Sequence, residues 1–160
     1  MKNFITISLL LFISCISSSF TAQEKFKLKT GFYYLAEKES DGELIKDADT
    51  KDIFAVGREA VLTSDDFSSV KIVSKDFKPN SLKGIEVKLT KKGRTKWFDI
   101  KKRISQSGES ILFICQDKVY LEKSISGKIE FKESEILILL DPKHQQTIYD
   151  ILKSEISNSH

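Results

Sequence analysis

Histidine, cysteine and glycine are scarce in this 160-residue chain, which has only 2 His, 2 Cys and 7 Gly. Two cysteines cannot build a disulfide framework or a cysteine-rich zinc site. The two histidines, His144 and the terminal His160, leave almost no material for catalysis that depends on imidazole. The sequence also lacks the G-x-S-x-G, H-E-x-x-H and C-x-x-C motifs and a glycine-rich phosphate loop. It therefore favours a protein that is not an enzyme and that has no cofactor and no metal site.

Neither sign of charge dominates the composition. The formal net charge is +3, which is too close to balance for a polycation or an acidic tail. Hydrophobic residues make up 40% of the chain, too many for a wholly disordered protein. The length is that of one domain.

Residues 1–22 have the order of a secretory signal peptide. Lys2 precedes an apolar run that ends at Ile13, and small and hydroxyl residues follow it. The run is too short for a membrane helix, which needs about 20 apolar residues, and we expect no transmembrane segment in the mature chain. Cleavage after Ala22 is favoured, and the alternative is a lipoprotein signal that ends before Cys15, which would then be lipidated. Both processing routes predict an exported protein, either periplasmic or secreted. In the second route the protein carries a lipid anchor.

Residues 23–160 are predicted to form a single α+β domain with its core at about residues 52–157. A short aromatic strand is expected at Phe32–Ala36 and a buried strand at Ile111–Cys115, in which Cys115 acts as a small buried hydrophobe. The charged stretch at residues 37–51 is typical of an exposed loop. We expect one mixed β-sheet with two main helices packed on one face.

Local signals define both helices. Thr90 suits a helix N-cap and Gly108 a helix end, and Asp141-Pro142 is a strong helix start. Apolar residues then recur at helical spacing and predict one buried face on each helix. These residues are Gly93, Trp97, Ile100 and Ile104 in the first helix, and Ile148, Ile151, Leu152 and Ile156 in the second.

Residues 83–103 concentrate positive charge, with nine basic and two acidic side chains and a net charge of +7. The basic residues are Lys83, Lys88, Lys91, Lys92, Arg94, Lys96, Lys101, Lys102 and Arg103. They predict a surface that binds acidic lipid, envelope polysaccharide or an acidic protein partner. Nucleic acid is not an expected partner of an exported protein. The simpler interpretation is a solvated helix face.

An aromatic cluster offers a second candidate surface. Phe32, Tyr33 and Tyr34 follow Phe26 closely, and alternate side chains of a strand point to opposite faces. An exposed aromatic edge could take up an extended peptide by strand addition. Ordinary packing in the core is the alternative interpretation.

The acidic residues give little indication of a catalytic or metal-binding site. Asp65 and Asp66 favour the start of a short helix through its dipole. The three aspartates in residues 47–52 lack the full calcium-loop pattern. Asp65, Asp66 and His144 are the only plausible reagents if the protein is instead an unrecognised secreted hydrolase.

Residues 61–156 resemble the head subdomain of the first periplasmic domain of the SecD/SecDF protein-export subunits. Leu62-Thr63-Ser64-Asp65-Asp66 is similar to the family's L-T-x-x-D motif, which precedes a short turn. Val87 to Trp97 is similar to the family's V-x-L-T-x-E-G-A-x-x-F strand and helix. Gly108 to Tyr120 is similar to a glycine, a buried strand and a D-G-x-V-Y hairpin. Ile125 to Phe131 is similar to the I-x-x-x-I-x-G-x-x-x-I stretch that follows.

The departures from this family define what the resemblance implies. Gln116-Asp117 stands where Asp-Gly is usual, Leu121-Glu122-Lys123 stands where Ser-Ala-Pro is common, and Arg94 and Lys101 add basic charge to the helix. The family's membrane helices, with their proton-coupling carboxylate, have no counterpart here. The resemblance implies a freestanding head, which in the family is thought to contact the exported chain and has no catalytic residue.

These observations together predict an exported, non-enzymatic binding or accessory domain of the cell envelope with a protein or peptide partner. Its expected contact residues are Phe32, Tyr33, Tyr34, Lys91, Lys92, Arg94, Lys96, Lys101, Lys102 and Arg103. The first alternative is a domain that binds anionic envelope surfaces through residues 83–103. The second alternative is the secreted hydrolase.

Overall fold

The computed structural model describes residues 28–77, 80–121 and 134–159 of the chain. The predicted signal peptide, including Cys15, lies outside these residues, as do Phe26 and residues 125–131 of the resemblance. The described helices are α1 (Lys91–Ser107), α2 (Pro142–Asn158) and the 3-10 turns η1 (Glu39–Asp41) and η2 (Ser64–Asp66). The described strands are β1 (Gly31–Tyr34), β2 (Gly42–Asp47), β3 (Ile53–Gly57), β4 (Leu62–Thr63), β5 (Phe67–Phe77), β6 (Asn80–Leu89), β7 (Ile111–Cys115), β8 (Lys118–Leu121) and β9 (Glu135–Ile138).

The first sheet has six strands in the order β3-β2-β8-β7-β1-β4 and curls toward a small barrel. Its neighbouring strands are antiparallel, except for the parallel pair of β2 and β8. Beyond β1, Leu35 forms an antiparallel bridge to Val56, and the Ala36 N–H donates to the Ala55 carbonyl at 2.9 Å. The two ends of the β3-β2-β8-β7-β1 array therefore meet.

The second sheet has three antiparallel strands in the order β5-β6-β9. A long hairpin forms β5 and β6, and β9 pairs with the end of β6 that leads into α1. This connection fixes the start of α1 against the sheet, because only Thr90 separates Leu89 from Lys91.

Apolar residues form two cores on opposite faces of β1 and β7. Phe32 and Phe113 point into the larger core, which the second sheet and both helices share through side chains such as Trp97 and Leu152. Tyr33 and six aliphatic residues fill the barrel interior. This smaller cluster contains Leu28, Tyr33, Ile45, Val56, Leu112, Ile114 and Val119. Both faces of β1 and β7 are thus covered, which explains their continuous apolar sequences.

The prediction of a single α+β domain with two main helices is confirmed. The described strands are divided between two sheets, whereas one mixed sheet is expected from the sequence. The expected loop at residues 37–51 is wrong, because this stretch contains η1 and β2. Ile45 of β2 is 3% exposed and points into the barrel, whereas the neighbouring Leu44 and Lys46 point outward. A single inward-pointing residue among charged neighbours does not produce the alternation of apolar and polar residues from which a strand is predicted.

Candidate functional site

Thr90 and Gly93 fix the start of α1. The Thr90 side chain caps the helix by accepting the Gly93 N–H at 3.0 Å, and the Thr90 N–H donates to the Asp66 carbonyl at 2.9 Å. A Cβ on Gly93 would overlap that same carbonyl oxygen, so glycine permits the close approach of α1 to η2. At the other end, Gly108 adopts the left-handed conformation with φ of 70°. The predicted cap and stop are both confirmed.

The core side of α1 is the predicted apolar face. Gly93, Trp97 and Ile100 are buried, and the Trp97 ring lies 6.1 Å from the Phe32 ring between centroids. Ile104 packs at the edge of the same core. This side sets the rotation of the helix and hence the direction in which its basic residues point.

Lys96 belongs to the structure of the domain. Its Nζ lies 2.6 Å from Oδ2 of Asp66, whose side chain is 1% exposed. The same oxygen accepts the Thr63 N–H at 3.1 Å, which completes a capping box around η2. Lys96 therefore neutralises a buried carboxylate, and it is not a free cation.

Arg103 is also held in place. Its Nε and Nη2 lie 2.7 and 3.0 Å from the two oxygens of Glu109, and its guanidinium stacks 4.3 Å from the centre of the Tyr34 ring. The hydrogen bonds to Glu109 raise the pKa of Arg103. Burial raises the pKa of Tyr34, and the Arg103 charge opposes that shift.

The opposite side of α1 lines a groove that is basic and open to solvent. Its described lining residues are Lys91, Arg94, Thr95, Phe98, Lys101 and Ser134, and its volume is about 630 Å³. We call it the basic groove. Phe98 is 64% exposed and lies among the three cations on one stripe of the helix. Within the described parts of the chain, no ion pair engages Lys91, Arg94 or Lys101.

The remaining predicted basic contacts divide in the same way. Lys92 and Lys102 are exposed on α1 but are not among the described lining residues of the basic groove, and Lys88 is exposed on β6. The side chain of Lys83 lies outside those described. The structure therefore separates two tethered cations, Lys96 and Arg103, from the others of the expected surface.

The aromatic strand does not form the expected surface. Phe32 is fully buried and Tyr33 is 1% exposed, because both faces of β1 are covered by packed side chains. The Tyr33 hydroxyl donates to the Lys29 carbonyl at 2.7 Å, and burial raises the pKa of Tyr33 to about 12. Tyr34 keeps partial exposure beneath Arg103. The prediction that Phe32 and Tyr33 contact a partner is corrected, since both are core residues.

Asp65, Asp66 and His144 enter separate sets of contacts. Asp65 is on the surface, where it accepts hydrogen bonds from Ser159 at 3.0 Å and Lys29 at 3.4 Å. Asp66 is buried with Lys96, as described above. The structure thus gives these three side chains no common site.

His144 is bound to the turn between β2 and β3. Its Nε2 lies 2.8 Å from Oδ1 of Asp49, and its ring meets the edge of Tyr120 at 5.0 Å between centroids. Lys143 also pairs with Asp49, and the hydrogen bonds from Lys143 and His144 lower the pKa of this aspartate. These contacts fasten the end of the barrel to the start of α2.

Cys115 is fully buried, and burial raises the pKa of its thiol to about 12. Its prediction as a small buried hydrophobe is confirmed. Among the residues the structure describes, no group of three or more His, Cys, Asp or Glu side chains could hold a metal ion. Neither α1 nor α2, the two described α-helices, has the length and apolar character to cross a membrane.

Phe98 is the site residue that the sequence reasoning missed. It follows Trp97 directly, so the pair resembles a single apolar element of the core face. A helical projection separates them by about 100° and puts Phe98 among Lys91, Arg94 and Lys101. The helical positions of Lys91, Arg94, Phe98 and Lys101 are therefore the sequence signal that could have identified Phe98 as a site residue.

Comparison with known proteins yields no relative. No family model matches the chain, and no curated protein and no solved structure matches it either. The resemblance to the SecD/SecDF head stays a prediction.

Proposed function

We propose that this domain is an exported, non-enzymatic binding module of the cell envelope that holds an acidic segment of a protein partner in the basic groove. One observation carries the proposal: three cations without an ion pair among the described residues surround an exposed phenylalanine in a concave surface. Complementary charge attracts an acidic ligand, and the ring offers it an apolar contact.

The positions of the cations support a ligand. Lys91, Lys92 and Arg94 lie in the first turn of α1, where the positive end of the helix dipole disfavours positive charge by about 0.3–1 kcal/mol at each site. Lys91 and Arg94 are also like charges at i and i+3, a spacing that destabilises a helix slightly. Helix stability therefore does not account for these side chains. A bound carboxylate would relieve both effects.

The shape of the site favours a protein segment over a flat anionic surface. A volume of about 630 Å³ lies within the usual range of ligand pockets. A narrow segment of chain can enter the groove.

The sequence supports the location and the class of partner. The signal-like residues 1–22 indicate export, and the resembled head subdomain is thought to contact exported polypeptide. An acidic polypeptide in the envelope meets both conditions. With Phe32 and Tyr33 in the core, Lys91, Arg94 and Lys101 of the basic groove are among the expected contact residues that stay accessible.

Fluorescence anisotropy with a labelled glutamate-rich peptide tests this proposal on the purified protein. We expect binding that weakens steeply as salt rises from about 0.01 M to about 1 M, where the Debye length falls from about 30 to about 3 Å. The variant Lys91→Glu/Arg94→Glu/Lys101→Glu should abolish binding. Its matched control is Lys38→Glu/Lys51→Glu/Lys118→Glu, which changes the net charge equally at exposed positions away from α1.

The outcomes separate the alternatives. Equal loss of peptide binding in both triple variants would show a response to net charge alone and would overturn the groove. Vesicles that contain phosphatidylglycerol serve as a second probe. Binding to these vesicles through Lys91, Arg94 and Lys101, without binding to the peptide, would replace the proposal with the anionic-surface alternative.

A further inference from the structure

We infer that the basic groove selects an extended segment with the pattern acidic-x-apolar-x-acidic, in which the apolar side chain rests on Phe98. This inference rests on the proposed function and specifies the partner segment that the same site would bind.

The spacing of the lining residues along α1 sets the pattern. Lys91, Arg94, Phe98 and Lys101 occupy positions i, i+3, i+7 and i+10, which form one stripe of the helix. At about 1.5 Å per residue, Lys101 lies about 13 Å along the axis from the midpoint of Lys91 and Arg94. Phe98 lies between these two positive positions. The groove therefore presents positive, apolar and positive contacts in a line.

An extended chain has the matching period. Its side chains at i, i+2 and i+4 point to one face, and at about 3.3 Å per residue the outer two are about 13 Å apart. Acidic side chains at i and i+4 can then meet the two positive positions of the groove. The side chain at i+2 lies between them on the same face and meets Phe98. An extended segment is also narrower than a helix, whose diameter with side chains is about 10–12 Å.

Three peptides with identical composition test the pattern against charge alone. Each carries a central Glu-Ser-Leu-Ser-Glu, Glu-Leu-Ser-Ser-Glu or Glu-Ser-Ser-Leu-Glu within the same flanking residues. The spacing of the two glutamates is constant, but leucine shares their face only in the first peptide. We expect the first peptide to bind about tenfold more tightly than the others, as burial of an apolar side chain against Phe98 implies.

Phe98→Ala should remove this preference and leave a common, salt-sensitive affinity for all three peptides. Ile53→Ala is the matched control, because Ile53 is an exposed large hydrophobe at 56% that lies on β3. It should keep the preference. Circular dichroism verifies that both variants are folded.

Two failures are distinguishable. If the three peptides bind equally to the unmodified protein with steep salt dependence, the pattern is wrong and the proposed function stands. If no acidic peptide binds, both the proposed pattern and the proposed function are wrong. A preference that survives Phe98→Ala also contradicts the assigned contact.

Discussion

The two sides of α1 hold basic residues in opposite situations. Beside the core, Lys96 and Arg103 are tied to Asp66 and Glu109 by short charged contacts. On the far side, the cations of the basic groove have no such partner among the described residues and surround Phe98. The basic stretch of sequence thus contains two groups of cations, one held in ion pairs and one that has no ion pair among the described residues. Substitutions on the two sides should therefore have different consequences.

Trp97→Ala should cause the largest loss of stability on the core side. Trp97 is fully buried and packs near Phe32, and truncation of a buried large side chain costs about 3–5 kcal/mol. Urea unfolding measures the change in free energy. Phe98→Ala is the matched control on the far side and should change it by less than about 1 kcal/mol. Similar losses in both variants would contradict the assignment of the two sides.

Asp66→Ala should have the next largest effect. It removes the acceptor of the Thr63 N–H and leaves Lys96 without its partner, and we expect a loss of about 2–3 kcal/mol because Lys96 retains partial access to water. The neighbouring Asp65 is exposed, and Asp65→Ala should cost less than about 0.5 kcal/mol. Thermal unfolding of the pair checks the difference. Equal stability of the two variants would show that the buried pair is not structural.

Arg103→Gln should produce a small change that is best measured at Tyr34. The Arg103 charge lowers the pKa of this tyrosine against the raising effect of burial, so its removal should raise the pKa further. Spectrophotometric titration, with Tyr34→Phe to assign the signal, measures the shift. Lys102→Gln is the adjacent control and should leave the pKa unchanged. An unchanged pKa in Arg103→Gln would mean that the stacking in the structure is not maintained in solution.

Local signals made much of α1 predictable. Thr90 and Gly108 act through contacts within a turn or through backbone conformation, and the apolar period predicts the buried face. The pairing of Lys96 could not be predicted in this way, because its partner Asp66 is 30 residues away in sequence. Which cations are held in ion pairs with other described residues is therefore a tertiary property.

Strand β1 shows a different reason for failure. The sequence predicts that its aromatic residues alternate between a buried and an exposed face, which holds for a sheet with one open face. In this domain the barrel interior covers one face and the larger core covers the other, so Phe32 and Tyr33 are both buried. Periodicity does not reveal how many layers cover a strand. Phe98 was missed for the converse reason, because adjacency to Trp97 concealed its position on the polar side.

The most direct test of the central claim measures stability and binding together in Lys91→Glu/Arg94→Glu/Lys101→Glu. Replacement of these three surface cations, of which Lys101 is half-buried, should change the unfolding free energy by less than about 0.5 kcal/mol for each site. The affinity for the labelled acidic peptide should fall at least about tenfold in the same preparation. We therefore expect peptide affinity to fall while the unfolding free energy stays nearly unchanged. A variant that unfolds as readily as Trp97→Ala, or that still binds the peptide as the unmodified protein does, would contradict this expectation.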